Sequence, residues 1–204
     1  MSGDYSRKRF NPEKHYQGVL RQQGRVDLDA DWNEYVDLQD RRWRAETIDV
    51  VGRSGVPDET PDGFKIAVSG GELTVGQGRM YVDGYVAENH GTAPAFEPTL
   101  EEGYGTAALP VKNQPYGGPV TVPAQVRSLV YLDVWRREVT HLQAPDLIEP
   151  AVNVDSTTRY QTAWQVRVLA NIPPDITCDT PLSDIPGWPT GNRSSSARLT
   201  TTTV

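Results

Sequence analysis

Residues 64–86 read FKIAVSGGELTVGQGRMYVDGYV, and the spacing of their apolar side chains decides the fold class. Phe64, Ile66 and Val68 alternate with Lys65 and Ala67, a period of two that puts successive side chains on opposite faces of an extended chain. Ser69-Gly70-Gly71 reverses the chain, Leu73 and Val75 follow, and Gly76-Gln77-Gly78 turns it again before Met80 and Val82. Asp83-Gly84 is a type I′ hairpin signal, because both central positions of that turn need positive φ, and Tyr85 and Val86 return. The spacing predicts a small meander.

Two longer strands lie on its C-terminal side. Val126 to Leu142 is apolar on both faces, with Leu129, Tyr131 and Trp135 on one side and Val130, Leu132 and Val134 on the other. Such a strand is expected centrally, covered above and below. From Arg159 to Ile172 the alternation is cleaner, with Tyr160, Trp164, Val166 and Val168 inward and Gln161, Gln165 and Arg167 outward. Pro145 and Pro150 leave room for one helical turn between them. Residues 91–125 are rich in Gly, Pro and Thr and predict a long surface or partner-contacting loop.

On the N-terminal side the period changes to that of a helix. Leu28, Trp32, Tyr35, Val36, Trp43, Val50 and Val51 fall near 3.6 residues apart and make one apolar stripe over Asp27 to Gly52. Asp29 or Asp31 can cap the first amides, and Asp31 with Glu34 has capping-box spacing. Asp37 with Arg41 and Asp40 with Arg44 are acid-first i,i+4 pairs. Gly52, Gly55 and Pro57 end the helix. The expectation is a mainly β (α+β) protein. An extended basic arm over 1–26 and an amphipathic helix over 27–52 lead into an antiparallel β-sandwich-like body over 53–172 with long Gly/Pro loops. A Pro/Ser/Thr-rich segment over 173–204 ends as if another strand were starting, so a longer natural chain is expected.

Composition narrows the function classes. The 204 residues carry a net charge of −7 and a mean hydropathy of −0.55. The acidic balance argues against a nucleic-acid binder. No apolar run approaches the length of a membrane span, and MSGDYSRKRF has no apolar signal-peptide core. The charge is unevenly placed, however. Residues 1–25 hold six basic side chains against two acidic ones, a net of +4, leaving −11 for the remainder. This basic leader also contains Tyr5, Phe10, Tyr16, Val19 and Leu20, a density of apolar groups that a floating tail has nothing to bury against. It predicts a docked arm on an acidic surface.

Catalytic and metal motifs are weak. Asp27, Asp29 and Asp31 have the 1-3-5 spacing of a calcium loop, but Trp32 stands where its sharp turn needs Gly and Leu38 where a bidentate Glu should sit. His15, His90 and His141 have no metal-ligand spacing. His141 with Asp146, Glu149 and Asp155 can be drawn as an acid/base cluster, without a nucleophile elbow. Cys178, the single cysteine, has no basic neighbour to activate it and excludes an internal disulfide. The reading is of a protein with no catalytic residues, cofactor or metal.

Two stretches resemble a family of uncharacterised proteins encoded in phage tail-like gene clusters. The first is GDYSRKRFNPEKHYQGVLRQQGRVDLDADWNEYVDLQDRRWRAETIDVVG over 3–52, which is similar to that family's GDYSR or GDFSR start, QQGRV segment and LDADWNE helix entry. The second is LIEPAVNVDSTTRYQTAWQVRV over 147–168, which resembles its Glu-Pro-Ala, Asp-x-x-x-Arg and Trp-Gln-Val block. Relatives often have an acidic-glycine turn with Pro where Asn153-Val154-Asp155 stands here. The resemblance implies a structural subunit of a contractile injection particle, associated with its baseplate, spike or cage. It also implies assembly in the cytoplasm, release within a particle, and three-fold or six-fold homo-oligomers contacting other particle subunits.

The residues expected to carry such contacts are Arg7, Lys8, Arg9, Arg21 and Arg25, pairing with a neighbour's carboxylates, and Tyr5, Phe10, Trp32 and Trp43, filling its apolar pockets. Two alternatives belong to other classes. A glycan-binding module at a fibre tip would stack sugar on Trp135, Trp164 or, most attractively, Trp188. A cell-wall hydrolase would work through paired carboxylates.

Overall fold

The computed structural model describes residues 3–69, 72–92, 107–118, 120, 123, 126–177 and 179–189. Cys178, most of the predicted long loop and the chain after Pro189 fall outside this set. Among the described residues the protein is mainly β with one long helix. The helix α1 (Asp29–Val51) is followed by β1 (Ser54–Gly55), β2 (Ile66–Ser69), β3 (Glu72–Val75), β4 (Gly78–Val82), β5 (Tyr85–Asn89) and β6 (Leu109–Pro110). Then come β7 (Ser128–Val139), β8 (Ile148–Glu149), β9 (Val154–Asp155) and β10 (Arg159–Ala170). They form four small sheets, of order β1-β4-β5, β2-β3-β6, β10-β7 and β8-β9. The chain divides into two units, one of residues 1–50 with 136–161 and the other of 51–135 with 162–204.

The second unit holds the core. The meander forms as its spacing predicts: β2 pairs antiparallel with β3, and β4 with β5, the latter through Val82↔Tyr85. Asp83 and Gly84 adopt φ of 46° and 77°, as the type I′ turn requires. Gly78 has φ of +132°, and a Cβ there would lie 2.7 Å from Thr60 Cβ, so that turn accepts only glycine. Phe64 departs from expectation. It does not begin a strand but bends at φ 59°, donating its N–H to Gly76 O at 3.0 Å, and its ring is fully buried. There it meets the edge of Trp164 with centroids 5.0 Å apart at 84°, and the indole N–H donates to Glu88 O at 2.6 Å. Removing either ring costs about 3–5 kcal/mol in a typical core.

β7, expected centrally and covered by the helix or by a second sheet, pairs only with β10 among the described residues. Its two apolar faces are satisfied by two different clusters instead. Val130, Leu132 and Val134 join the core with Phe64, Val75 and Trp164. On the other face Leu129 packs on Ile172, Ile176 and Ile185, and the Tyr131 ring lies 4.7 Å from that of Trp188. Burial pushes the Tyr131 phenol up, with Arg167 opposing the shift.

Two buried amides replace strand neighbours. Asn89 Nδ2 donates to Val75 O and Gly76 O, and its Oδ1 accepts from Gly91 N–H. Gln114 Oε1 accepts from Val166 N–H at 2.8 Å while its Nε2 donates to Val166 O and Gly118 O. This one side chain serves the β10 backbone as a paired strand would. Gln165, expected outward, is buried for a related reason, since its amide occupies the space beside Gly117 where a Cβ would stand. Gln114→Leu keeps the volume but strands Val166's N–H and C=O, and leaving each such buried group unmade costs about 1–3 kcal/mol. Chemical denaturation is therefore expected to show a lower midpoint for Gln114→Leu, by clearly more than for a surface Gln→Leu control such as Gln17→Leu.

Candidate functional site

The first unit is built around α1 and what lies against its first turns. Residues 3–28 contain one regular element, a 3-10 turn at Pro12–Lys14 whose Asn11 side chain accepts from Glu13 N–H at 2.9 Å. The head of this leader is tied to its own chain. Gly3 N–H and the Tyr5 hydroxyl, the latter at 2.7 Å, both donate to Glu138 Oε1, and Tyr5 also bonds Thr158 Oγ1. Ser6 donates its N–H and hydroxyl to the two carboxylate oxygens of Asp29, at 2.9 and 2.6 Å, and Arg9 pairs with Asp31. The acids that the spacing assigns to helix capping thus receive the leader.

These bonds set the charge states. The Ser6 hydroxyl, then its amide, holds the Asp29 carboxyl below its ordinary value. Burial acts to raise Glu138, but the hydrogen bonds from Gly3 and Tyr5, with the Lys8 charge, outweigh it and hold Glu138 low as well. Burial is the main cause that raises the Tyr5 phenol.

On α1 itself the distribution of side chains is the reverse of a globular helix. The residues it buries are Ala30 and Leu38. Beside them Asp40 pairs with Arg136 at 2.7 Å, and the Arg136 guanidinium stacks 4.2 Å from the Tyr160 ring, which is why Tyr160 is half-exposed rather than inward. Burial raises the Asp37 carboxyl, with Arg136 opposing. The aromatic stripe points the other way. Trp32 is 61% exposed, Trp43 65% and Val50 80%. The Trp32 and Tyr35 rings tilt together with centroids 6.1 Å apart. Between this stripe and the leader runs an open groove of about 880 Å³, lined by Leu20, Arg25, Val26, Leu28, Trp32 and Tyr35 among others. Leu20 and Val26 are almost wholly exposed within it.

The expected contact residues separate accordingly. Tyr5, Arg9 and Arg21 each have a partner within the chain, Arg21 with Asp27 at 3.2 Å. Phe10 is half-buried, and Arg7 and Lys8 are exposed. Arg25, Trp32 and Trp43 lie on exposed surface. Trp188 is half-buried with its ring against Tyr131, Trp135 packs against Tyr116 at 6.3 Å and Trp164 is core. His141 Nδ1 lies 2.7 Å from Asp155 Oδ2. Among the described residues no three His, Cys, Asp or Glu side chains are grouped to hold a metal, and no helix is long and apolar enough to cross a membrane.

What the sequence did not reveal is the leader's anchorage, since Glu138 and Thr158 are 135 and 153 residues from their partners. Their nearest signal is that Thr158 falls inside the second resemblance stretch. Both anchoring carboxyls are lowered in the folded state, so their contribution is complete above the ordinary carboxylate range of about 4 and is lost as pH falls through the lowered values. In an NMR pH titration the amide signals of Gly3 and Ser6 are expected to hold their positions to below pH 4 and then move together toward random-coil values. Movement centred at the ordinary carboxylate value or above would contradict the anchorage.

No curated protein and no solved structure shows a significant match to this chain. One family does match, over residues 1–183 and therefore over both of the stretches that meet around the leader. The chain belongs to DUF6519, a family of unknown function.

Proposed function

We propose that this chain is a non-enzymatic structural subunit of a contractile, phage tail-like injection particle, held to its neighbours by the surface that the leader and α1 share. The observation that carries the reading is the outward aromatic side of α1. Two tryptophans and a tyrosine on one exposed stripe, next to an apolar groove, make a patch that monomeric proteins rarely leave uncovered. Aromatic anchors with an arginine at the margin are the composition that dominates interface energetics. The body supplies rigidity. Strands of three sheets contribute to one core, in the manner of a sandwich, which suits a component that bears load rather than one that opens and closes. The head of the leader serves in this reading as an internal strap that fixes the groove's inner wall, so the anchor proper is the stretch from Val19 through Trp43. Association with the baseplate, spike or cage follows from the resemblance of residues 3–52 and 147–168 to proteins of such clusters.

The test is incorporation. Because both side chains are exposed, Trp32→Glu with Trp43→Glu is expected to leave folding stability within about 0.5 kcal/mol per site. The same variant, expressed in place of the wild-type protein in a producing strain, is expected to be absent from purified particles while remaining in the soluble fraction. Particles carrying the variant at wild-type levels would overturn the reading.

A further inference from the structure

Four residues of the stripe, Leu28, Tyr35, Trp43 and Val50, are placed symmetrically in a way that bears on what covers it, while Trp32 falls opposite the position of Glu46. Counting from Gln39, Tyr35 and Trp43 lie four residues to either side and Leu28 and Val50 eleven to either side. A surface whose apolar groups are placed alike on both sides of a midpoint can be matched by a copy of itself turned through a two-fold axis, the isologous arrangement of most dimers. We propose that the partner on this face is a second copy of the same chain, its α1 laid antiparallel across the first with Gln39 at the crossing point; this deepens the reading of the face as an assembly surface and rests on it.

Three observations favour a second copy over another partner. The first is area. Leu20, Val26, Leu28, Trp32, Trp43 and Val50 are between 41% and 92% exposed. For side chains of that size this is on the order of 800 Å², which is what one partner of a stable interface covers. The second is charge. In the antiparallel arrangement the C-terminal half of one helix, with exposed Glu46 and Asp49, comes over the other copy's groove, where Arg25 stands. The two acids of the groove wall, Asp27 and Asp31, are paired with Arg21 and Arg9, so Arg25 is the cation that meets those carboxylates. The third is that exposed Arg42 lies three residues beyond Gln39, opposite the other copy's Tyr35, where a guanidinium over the ring is favourable. A parallel pairing brings Glu46 against Glu46 and leaves both grooves empty. Two-fold pairs fit a six-copy assembly as three dimers in dihedral symmetry about a three-fold axis, and they do not fit a bare ring of three.

The experiment uses the full chain in a Cys178→Ser background. Sedimentation equilibrium is expected to show a dimer at micromolar concentrations, and Trp32→Glu is expected to weaken it at least a hundredfold with unchanged thermal unfolding. Under mild oxidation Gln39→Cys is expected to give a covalent dimer. Val50→Cys alone is expected to give none, because its two copies lie about 33 Å apart at 1.5 Å per residue. Leu28→Cys mixed with Val50→Cys is expected to cross-link. A chain that stays monomeric at high concentration, or a Val50→Cys variant that links to itself, would overturn the antiparallel pairing. A monomer that still needs Trp32 and Trp43 to enter particles would overturn self-pairing alone, leaving the assembly reading in place.

Discussion

A helix can turn only one side toward the segments it packs on within its own unit, and in this chain that constraint governs everything else. α1 turns inward Ala30, Leu38 and the carboxylates of Asp37 and Asp40, the second of which meets Arg136. With that side committed, Trp32, Tyr35, Trp43 and Val50 can only face water or another molecule. A reversed helix would bury more apolar area, at about 25 cal/mol per Å². It would also abandon the Asp40–Arg136 pair and detach Ser6 from Asp29 and Arg9 from Asp31. Each of those contacts is modest, because the groups remain partly open to solvent. They also hold the leader, whose head is fixed at its other end by Glu138 and Thr158.

The two stretches that carry the family resemblance are thereby given a shared physical purpose. Residues 3–9 bind to the first turn of α1 and to side chains on or beside β7 and β10. Thr158 and Tyr160 lie within the second stretch, and Tyr160 supports the Arg136 that pairs with α1. The resemblance stretches therefore hold the residues that orient one helix, while most of the sheet core around Phe64 comes from residues between them, joined by Trp164 and Val166 of the second stretch.

Much of this was legible in the residues. Period-two spacing located β2 to β5, the Asp83-Gly84 turn fell where its φ values demand it, and α1 began within two residues of its expected start. The family match agrees with the resemblance at the level of an uncharacterised family. The misreadings share one cause, which is that alternation reports that a side chain is covered but not by what. β7 is apolar on both faces because two clusters flank it, and no third strand is needed. Tyr160 is aromatic and in phase with Trp164, yet its ring serves a cation instead of the core. For the surface, the apolar stripe was visible at once, whereas its direction depended on contacts across more than 130 residues, which no local pattern encodes.

The central claim is that the exposed side of α1 exists to be covered. Hydroxyl-radical footprinting of Trp32 and Trp43, read by mass spectrometry in the free chain and in intact particles, addresses it most directly. Heavy oxidation of both indoles in the free chain and strong protection in the particle is the result this account requires. Equal oxidation in the two states would contradict it.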